Sequence, residues 1–226
     1  MKIFTKKHSI SLPDYKNKHL KKTSFILGTG PSIGDLDLSP LKSEVVYTVN
    51  GATLLQEKFQ FIPTFFCTSD SRFLQSEKSH LATNLVHPDT VRLVRDVIRP
   101  FDDENEAHRT IYVNTLGKNG FSSHIGRGFY FWCTSISLAV QMAWYTGSQK
   151  VALLGVDLNY SLARPRFYKE DNPQPVDNFV GVQIHNIALA AREFEKAGRE
   201  LVVCSENSML RPYLKYQPYE ELVKFS

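Results

Sequence analysis

Cysteine is scarce in this chain: 3 residues in 226, Cys67, Cys133 and Cys204, each in or beside an apolar run. Scattered thiols of that number form neither an even disulfide framework nor a metal-ligand spacing. They read as reduced, buried thiols of a cytosolic protein. No apolar run approaches the roughly 18 to 20 residues that a membrane span needs. The stretch MKIFTKKHSISLPDYKNKHLKK has no apolar region of the kind a secretory signal requires. Internal repeats and low-complexity segments are absent, as is a G-x-S-x-G nucleophile turn. No His, Cys or carboxylate cluster has metal spacing, so no metal site is expected. No basic motif is interleaved with aromatics, so nucleic acid is not an expected partner.

The remaining composition is that of a soluble globular domain, with 42% hydrophobic and 22% charged residues. The length fits one domain with a single substantial core. The net charge of +4 is unevenly placed, because residues 1–22 hold seven Lys and one Asp and leave the rest of the chain at −2. The expected organisation is a basic N-terminal arm, 1–22, before one domain, 23–226. Such an arm suits an anionic partner, and peripheral contact with an anionic membrane is the expectation.

Short β-branched and aromatic runs predict strands at 24–27, 44–50, 61–67 and 110–114. Pro63 marks the third as an edge or a bend. Thr134 or Ser135 is a good N-cap for an apolar helix over 136–145, with Gly147 as its stop. KVALLGVD, 150–157, reads as a central strand. Ile187, Ala190, Ala191 and Phe194 have helical spacing, Gly198 ends that helix, and ELVVC, 200–204, is a last strand. Strands alternating with helices predict an α/β fold: a single Rossmann-like domain whose mostly parallel sheet is covered by helices on both faces. The polar segments 71–109 and 158–182 read as long functional loops, the second, with RPRFYKEDNPQP, as a lid or acceptor-contact region.

Polar residues stand where the strands end. Gly28, Thr29, Gly30, Pro31 and Ser32 follow the first strand. The glycines let a phosphate or ribose approach the backbone closely. The turn is neither a dinucleotide fingerprint, since Ile33 takes the third glycine position, nor a Walker loop. Asn50 ends the second strand, Thr68, Ser69 and Asp70 follow the third, and Asp157 ends the central one. In an open parallel sheet these ends converge on one crevice, a candidate nucleotide site. His185 precedes the expected 187–197 helix, where the dipole favours a neutral imidazole suited to general-base work. Tyr160 and Tyr168 flank a basic stretch and could hold a leaving phosphate without a metal.

In their order, these motifs resemble the bacterial sialyltransferases that build lipooligosaccharide and capsule, and the wider sialyltransferase-like group that includes flagellin nonulosonate transferases. The likeness runs from about Ser24 to Leu210. It implies an inverting, metal-independent transfer of sialic acid or a related ulosonate from a CMP-sugar to a glycan hydroxyl. It implies no resident cofactor, since the CMP-sugar is a co-substrate. By the same resemblance Gly28 to Ser32 bind the cytidylate phosphate and ribose, and Asn50 contacts the donor. Thr134 and Ser135 lie near the donor carboxylate and cytidine, and Asp157 shapes the pocket. Tyr160 and Tyr168 hydrogen-bond the departing phosphate, and His185 is the general base. Thr29 stands where the family often has Asn, and the spacing of both tyrosines is wider. Another CMP-activated ulosonate, such as 3-deoxy-manno-octulosonate, is therefore allowed as donor. The acceptor is a glycan or lipid-linked glycan, the location cytoplasmic or peripheral to the inner membrane, and a homo-oligomer is one option for assembly. Two other readings stand beside this one. A pterin pyrophosphokinase-like enzyme would need ATP and magnesium on Asp70 and Asp157. A non-catalytic nucleotide-binding module would keep only the fold.

Overall fold

A computed structural model describes residues 10–75, 82–98, 109–160, 166–169 and 177–223. Seven strands form one sheet: β1 (Thr23–Leu27), β2 (Val45–Val49), β3 (Phe65–Thr68), β4 (Val91–Arg95), β5 (Thr110–Val113), β8 (Lys150–Leu154) and β9 (Glu200–Val203). Their order is β5-β4-β3-β2-β1-β8-β9, and every pairing is parallel. Two short strands, β6 (Thr115–Gly117) and β7 (Phe129–Tyr130), pair separately. This is the expected α/β architecture.

Period-2 alternation sends the two faces of each strand into different cores. Ile26, Tyr47, Phe65, Leu93, Leu153 and Val203 point to one side. There they meet the two long helices, α3 (Ile136–Tyr145) and α4 (Val180–Lys196). Phe25, Leu27, Val46, Ala152, Leu154 and Val202 point to the other. That side is covered by α1 (Leu55–Phe59), short 3-10 turns and Tyr219 of the C-terminal segment. A fourth helix, α2 (Ser71–Leu74), is a single turn after β3.

Three expectations need correction. Pro63 does not mark an edge, because β3 lies between β2 and β4; the proline precedes the strand, and its carbonyl accepts the Thr90 hydroxyl at 2.7 Å. The segment expected as a loop from 71 to 109 contains β4. The last helix begins at Val180, seven residues before Ile187.

The basic segment divides. Residues 1–9 lie outside the described residues. Residues 10–22 pack on the body: Tyr15 and His19 are each 6% exposed, and Leu20 bridges to Ser148. The amides of Asn17 and His19 donate to Tyr145 O and Thr146 O at 3.1 and 2.7 Å. These contacts are at the C-terminus of α3 and the N-terminal end of β1.

Candidate active site

The chain leaves β1 toward β2 and returns on the other side of β1 as β8. The C-terminal ends of β1 and β8 therefore form the point where strand order reverses, the usual ligand crevice of an open parallel sheet. A crevice of about 760 Å³, open mouth included, lies there. It is lined by Gly28, Thr29, Gly30, Asn50, Asp70, Thr134, Ser135, Asp157 and Tyr160, which sequence reasoning singled out.

The turn after β1 is bound tightly to the turn after β8. Gly28 N donates to Leu154 O at 2.8 Å, and Gly30 N to Gly155 O at 2.7 Å. A Cβ on Gly28 would stand 2.5 Å from Gly155 O, and one on Gly30 would strike the Asp157 carboxylate. The glycines thus admit the neighbouring loop. Asp157 is 6% exposed and completes the clamp. Its carboxylate accepts Ser32 N at 3.0 Å and Ser32 Oγ at 2.5 Å, and Ser32 Oγ also meets Ser205 Oγ at 2.7 Å. Pro31 opens the 3-10 turn Pro31–Ile33. Pro31 and Ser32 support the crevice from behind and do not line it.

Ser135 joins the start of α3 to the end of β3. Its hydroxyl accepts Ser69 N at 2.9 Å and lies 2.9 Å from Ser69 Oγ, so Ser69 is buried beneath the crevice. Asn50 adopts a left-handed φ of 51°, and its Oδ1 is buried with no hydrogen-bond partner. An orphaned buried acceptor costs about 1–3 kcal/mol.

Tyr160 approaches Gln183 Oε1 at 3.4 Å, and burial raises its hydroxyl pKa, so it stays a protonated donor. Tyr168 stands outside the lining, over the Asn50–Gly51 turn; a Cβ on Gly51 would be 2.5 Å from its hydroxyl. His185 is not brought to the crevice. It is the sixth residue of α4 and exposed. It also lies about 200° around the axis from Gln183, which does line the crevice.

Among the described residues the lining also includes Arg72, Arg166, Asp177 and Gln183, which the sequence does not mark as site residues. Asp70 caps α2 and holds Arg72, accepting Nε at 3.1 Å and Nη2 at 3.3 Å. Gln183, 1% exposed, donates to Cys133 O at 3.1 Å and to Asp177 Oδ2 at 2.8 Å. Asp177 Oδ1 accepts Phe179 N at 2.9 Å. Arg166 Nη1 donates to Thr29 Oγ1 at 2.9 Å. Only the last could have been suspected, from its place in a basic, tyrosine-flanked loop. Among the described residues no group of three His, Cys, Asp or Glu side chains is placed to hold a metal ion.

No protein-family model and no curated protein matches the chain. Solved structures do match. A MAf glycosyltransferase from Magnetospirillum magneticum AMB-1 superposes with a TM-score of 0.60 at 16% identity over 97% of this chain. This chain spans only 39% of that protein. The sialyltransferase CstII from Campylobacter jejuni, in complex with cytidine-5'-monophosphate, gives 0.55 at 13% identity, covering 92% of this chain and 88% of CstII. CstII with CMP-3FNeuAc gives 0.51 at 13% identity, covering 91% and 89%. At such identities the shared property is the fold: the chain has the α/β fold of these sialyltransferase-like structures. Among the described residues no helix is long and apolar enough to cross a membrane.

Proposed function

We propose that the chain is an inverting glycosyltransferase that takes an acidic ulosonate from a CMP-sugar and places it on a glycan hydroxyl of a surface polysaccharide or lipooligosaccharide. The observation that carries this reading is the crevice at the strand-order reversal, lined by Gly28, Thr29, Gly30, Asn50, Asp157 and Tyr160. The fold shared with CstII, solved with CMP and with CMP-3FNeuAc, supports a cytidine nucleotide as the ligand.

In the proposed step, the bond between the anomeric carbon and the phosphate oxygen breaks, and its electron pair leaves on CMP. The acceptor oxygen forms the new bond on the opposite face and gives its proton to a base. Hydrogen-bond donors aimed at the departing phosphate stabilise its growing charge, a task that falls to Tyr160 and Tyr168. The resemblance assigns the base to His185. The crevice offers Asp177, whose partners, Phe179 N and the Gln183 amide, are both neutral.

The pyrophosphokinase alternative gains no support from the carboxylates it needs. Asp157 is occupied by Ser32 and Asp70 by Arg72. Calorimetry with CMP, CDP, UDP and ATP plus magnesium tests the reading. Cytidine nucleotides should bind; binding of UDP or ATP without any cytidine nucleotide would overturn it. A screen of CMP-activated donors then separates an enzyme from a binding module.

A further inference from the structure

We propose that Arg166 binds the phosphate of the crevice's nucleotide, and that Thr29 is the residue that positions it there. The inference rests on the reading that a nucleotide occupies the crevice, and it adds which charge meets the phosphate.

Open α/β sheets usually meet a phosphate at the turn after the first strand with backbone N–H groups and the N-terminus of the following helix. At this turn both are reduced. The amides of Gly28 and Gly30 are spent on Leu154 O and Gly155 O. The following helix is the three-residue 3-10 turn Pro31–Ile33, too short to carry a useful dipole. Side chains are then the main source of positive charge at this turn. Among the described residues, the cations lining the crevice are Arg72 and Arg166. Arg72 is 60% exposed.

Arg166 sits differently. Its Nη1 donates to Thr29 Oγ1 at 2.9 Å, and the next amide, Phe167 N, donates to Thr29 O at 3.0 Å. One residue thus holds both the backbone and the guanidinium of this segment against the phosphate turn. The guanidinium carbon lies 5.7 Å from the centroid of the Tyr160 ring. A guanidinium has five donors in a planar fork that matches phosphate oxygens in pairs. Thr29 is therefore a positioning residue for the guanidinium.

The test compares CMP with cytidine, which lacks the phosphate, by calorimetry on the wild-type chain, Arg166→Gln, Arg166→Lys and Thr29→Val. Loss of a charge-assisted contact should weaken CMP about 10- to 100-fold in Arg166→Gln and leave cytidine unchanged. Arg166→Lys should recover part of the loss, and Thr29→Val should show a smaller CMP-selective loss. CMP affinity unchanged in Arg166→Gln, or an equal loss for CMP and cytidine, would overturn the proposal. If the wild-type chain binds no cytidine compound, the same comparison is run with UMP, AMP and GMP against their nucleosides. A phosphate-selective loss there keeps the Arg166 assignment while the cytidine reading fails. Binding of no nucleotide at all overturns both.

Discussion

Replacing Asp177 and His185 in turn separates the two candidate bases. Among the described residues three carboxylates line the crevice, and two are committed: Asp157 to Ser32 and Asp70 to Arg72. Among the described residues the hydrogen-bond donors to Asp177 are Phe179 N and the Gln183 amide, both neutral. Asp177→Asn keeps the shape but offers one acceptor oxygen where two were used, which should cost about 1 kcal/mol of stability. For a chain of this size that is a fall of about 2–4 °C in Tm. Turnover should fall much further, by the 10²- to 10⁴-fold that general-base catalysis typically contributes. CMP affinity should be retained. His185→Ala removes an exposed side chain and should stay within about 0.5 kcal/mol of wild-type stability, with turnover little changed. The assay is steady-state transfer from the CMP-sugar to a soluble acceptor, with the pH–rate profile recorded. If His185→Ala abolishes turnover while Asp177→Asn preserves it, the acceptor approaches over the outer side of α4 and the crevice argument is wrong.

The packing of residues 10–22 makes a pH prediction. Burial first, then Lys22 and Lys18, lower the His19 pKa from 6.5 to about 4. The folded chain thus favours neutral His19, so this contribution is complete above about pH 6.5 and is lost as pH falls toward 4. The full shift corresponds to about 3 kcal/mol, and solvent screening near the surface lysines reduces it to roughly half. Urea unfolding from pH 7 to 4 should show that extra loss in the wild-type chain and not in His19→Gln; parallel curves would refute it. At the crevice, Gly51→Ala places a methyl group against the Tyr168 hydroxyl, which can swing away. If that hydroxyl holds the phosphate, Gly51→Ala and Tyr168→Phe should lower turnover alike, and the double variant should lose no more than either. Additive losses would place Tyr168 outside the reaction.

The sheet was readable wherever a strand is uniformly apolar. Phe25 to Leu27, Val45 to Val49 and Val151 to Leu154 are buried on both faces and leave no ambiguity. β4 escaped notice because VRLVR carries two arginines, yet Arg92 is only 4% exposed in the fold. The start of α4 was missed because Phe179 provides no side-chain cap and Gly181 interrupts the first turn. That error moved His185 from the helix terminus to its second turn, and with it went the dipole argument for a neutral base. The crevice was legible where strand ends dictate it, at Gly28, Asn50 and Asp157. Arg166 and Asp177 lie in irregular chain and Gln183 in the first turn of α4; Arg166 is held by Thr29 and Gln183 by Cys133, partners distant in sequence. No local pattern announces such placement.

The position of the basic segment constrains how a membrane-bound acceptor could be served. Lys16, Lys18, Lys21 and Lys22 are exposed, and Leu20 beside them is 56% exposed. Lys22 O accepts Gln149 N at 2.9 Å, at the strand ends opposite the crevice. Five residues of β1 separate the two rims, about 16 Å at strand rise. A membrane held by these lysines, each worth roughly 1 kcal/mol at an anionic surface, would face away from the crevice mouth. Only an acceptor glycan long enough to span that height could profit from the attachment. Deleting residues 1–22 cannot test this cleanly, because it also strips Tyr15 and His19 from the core. The better variant replaces Lys16, Lys18, Lys21 and Lys22 with Gln. It should sediment less with phosphatidylserine vesicles, keep wild-type turnover on a soluble acceptor, and lose rate only on long lipid-linked acceptors. Unchanged sedimentation would show that the lysines are simply solvated. An equal loss of rate on short lipid-linked acceptors would show that the crevice, and not the opposite rim, faces the membrane.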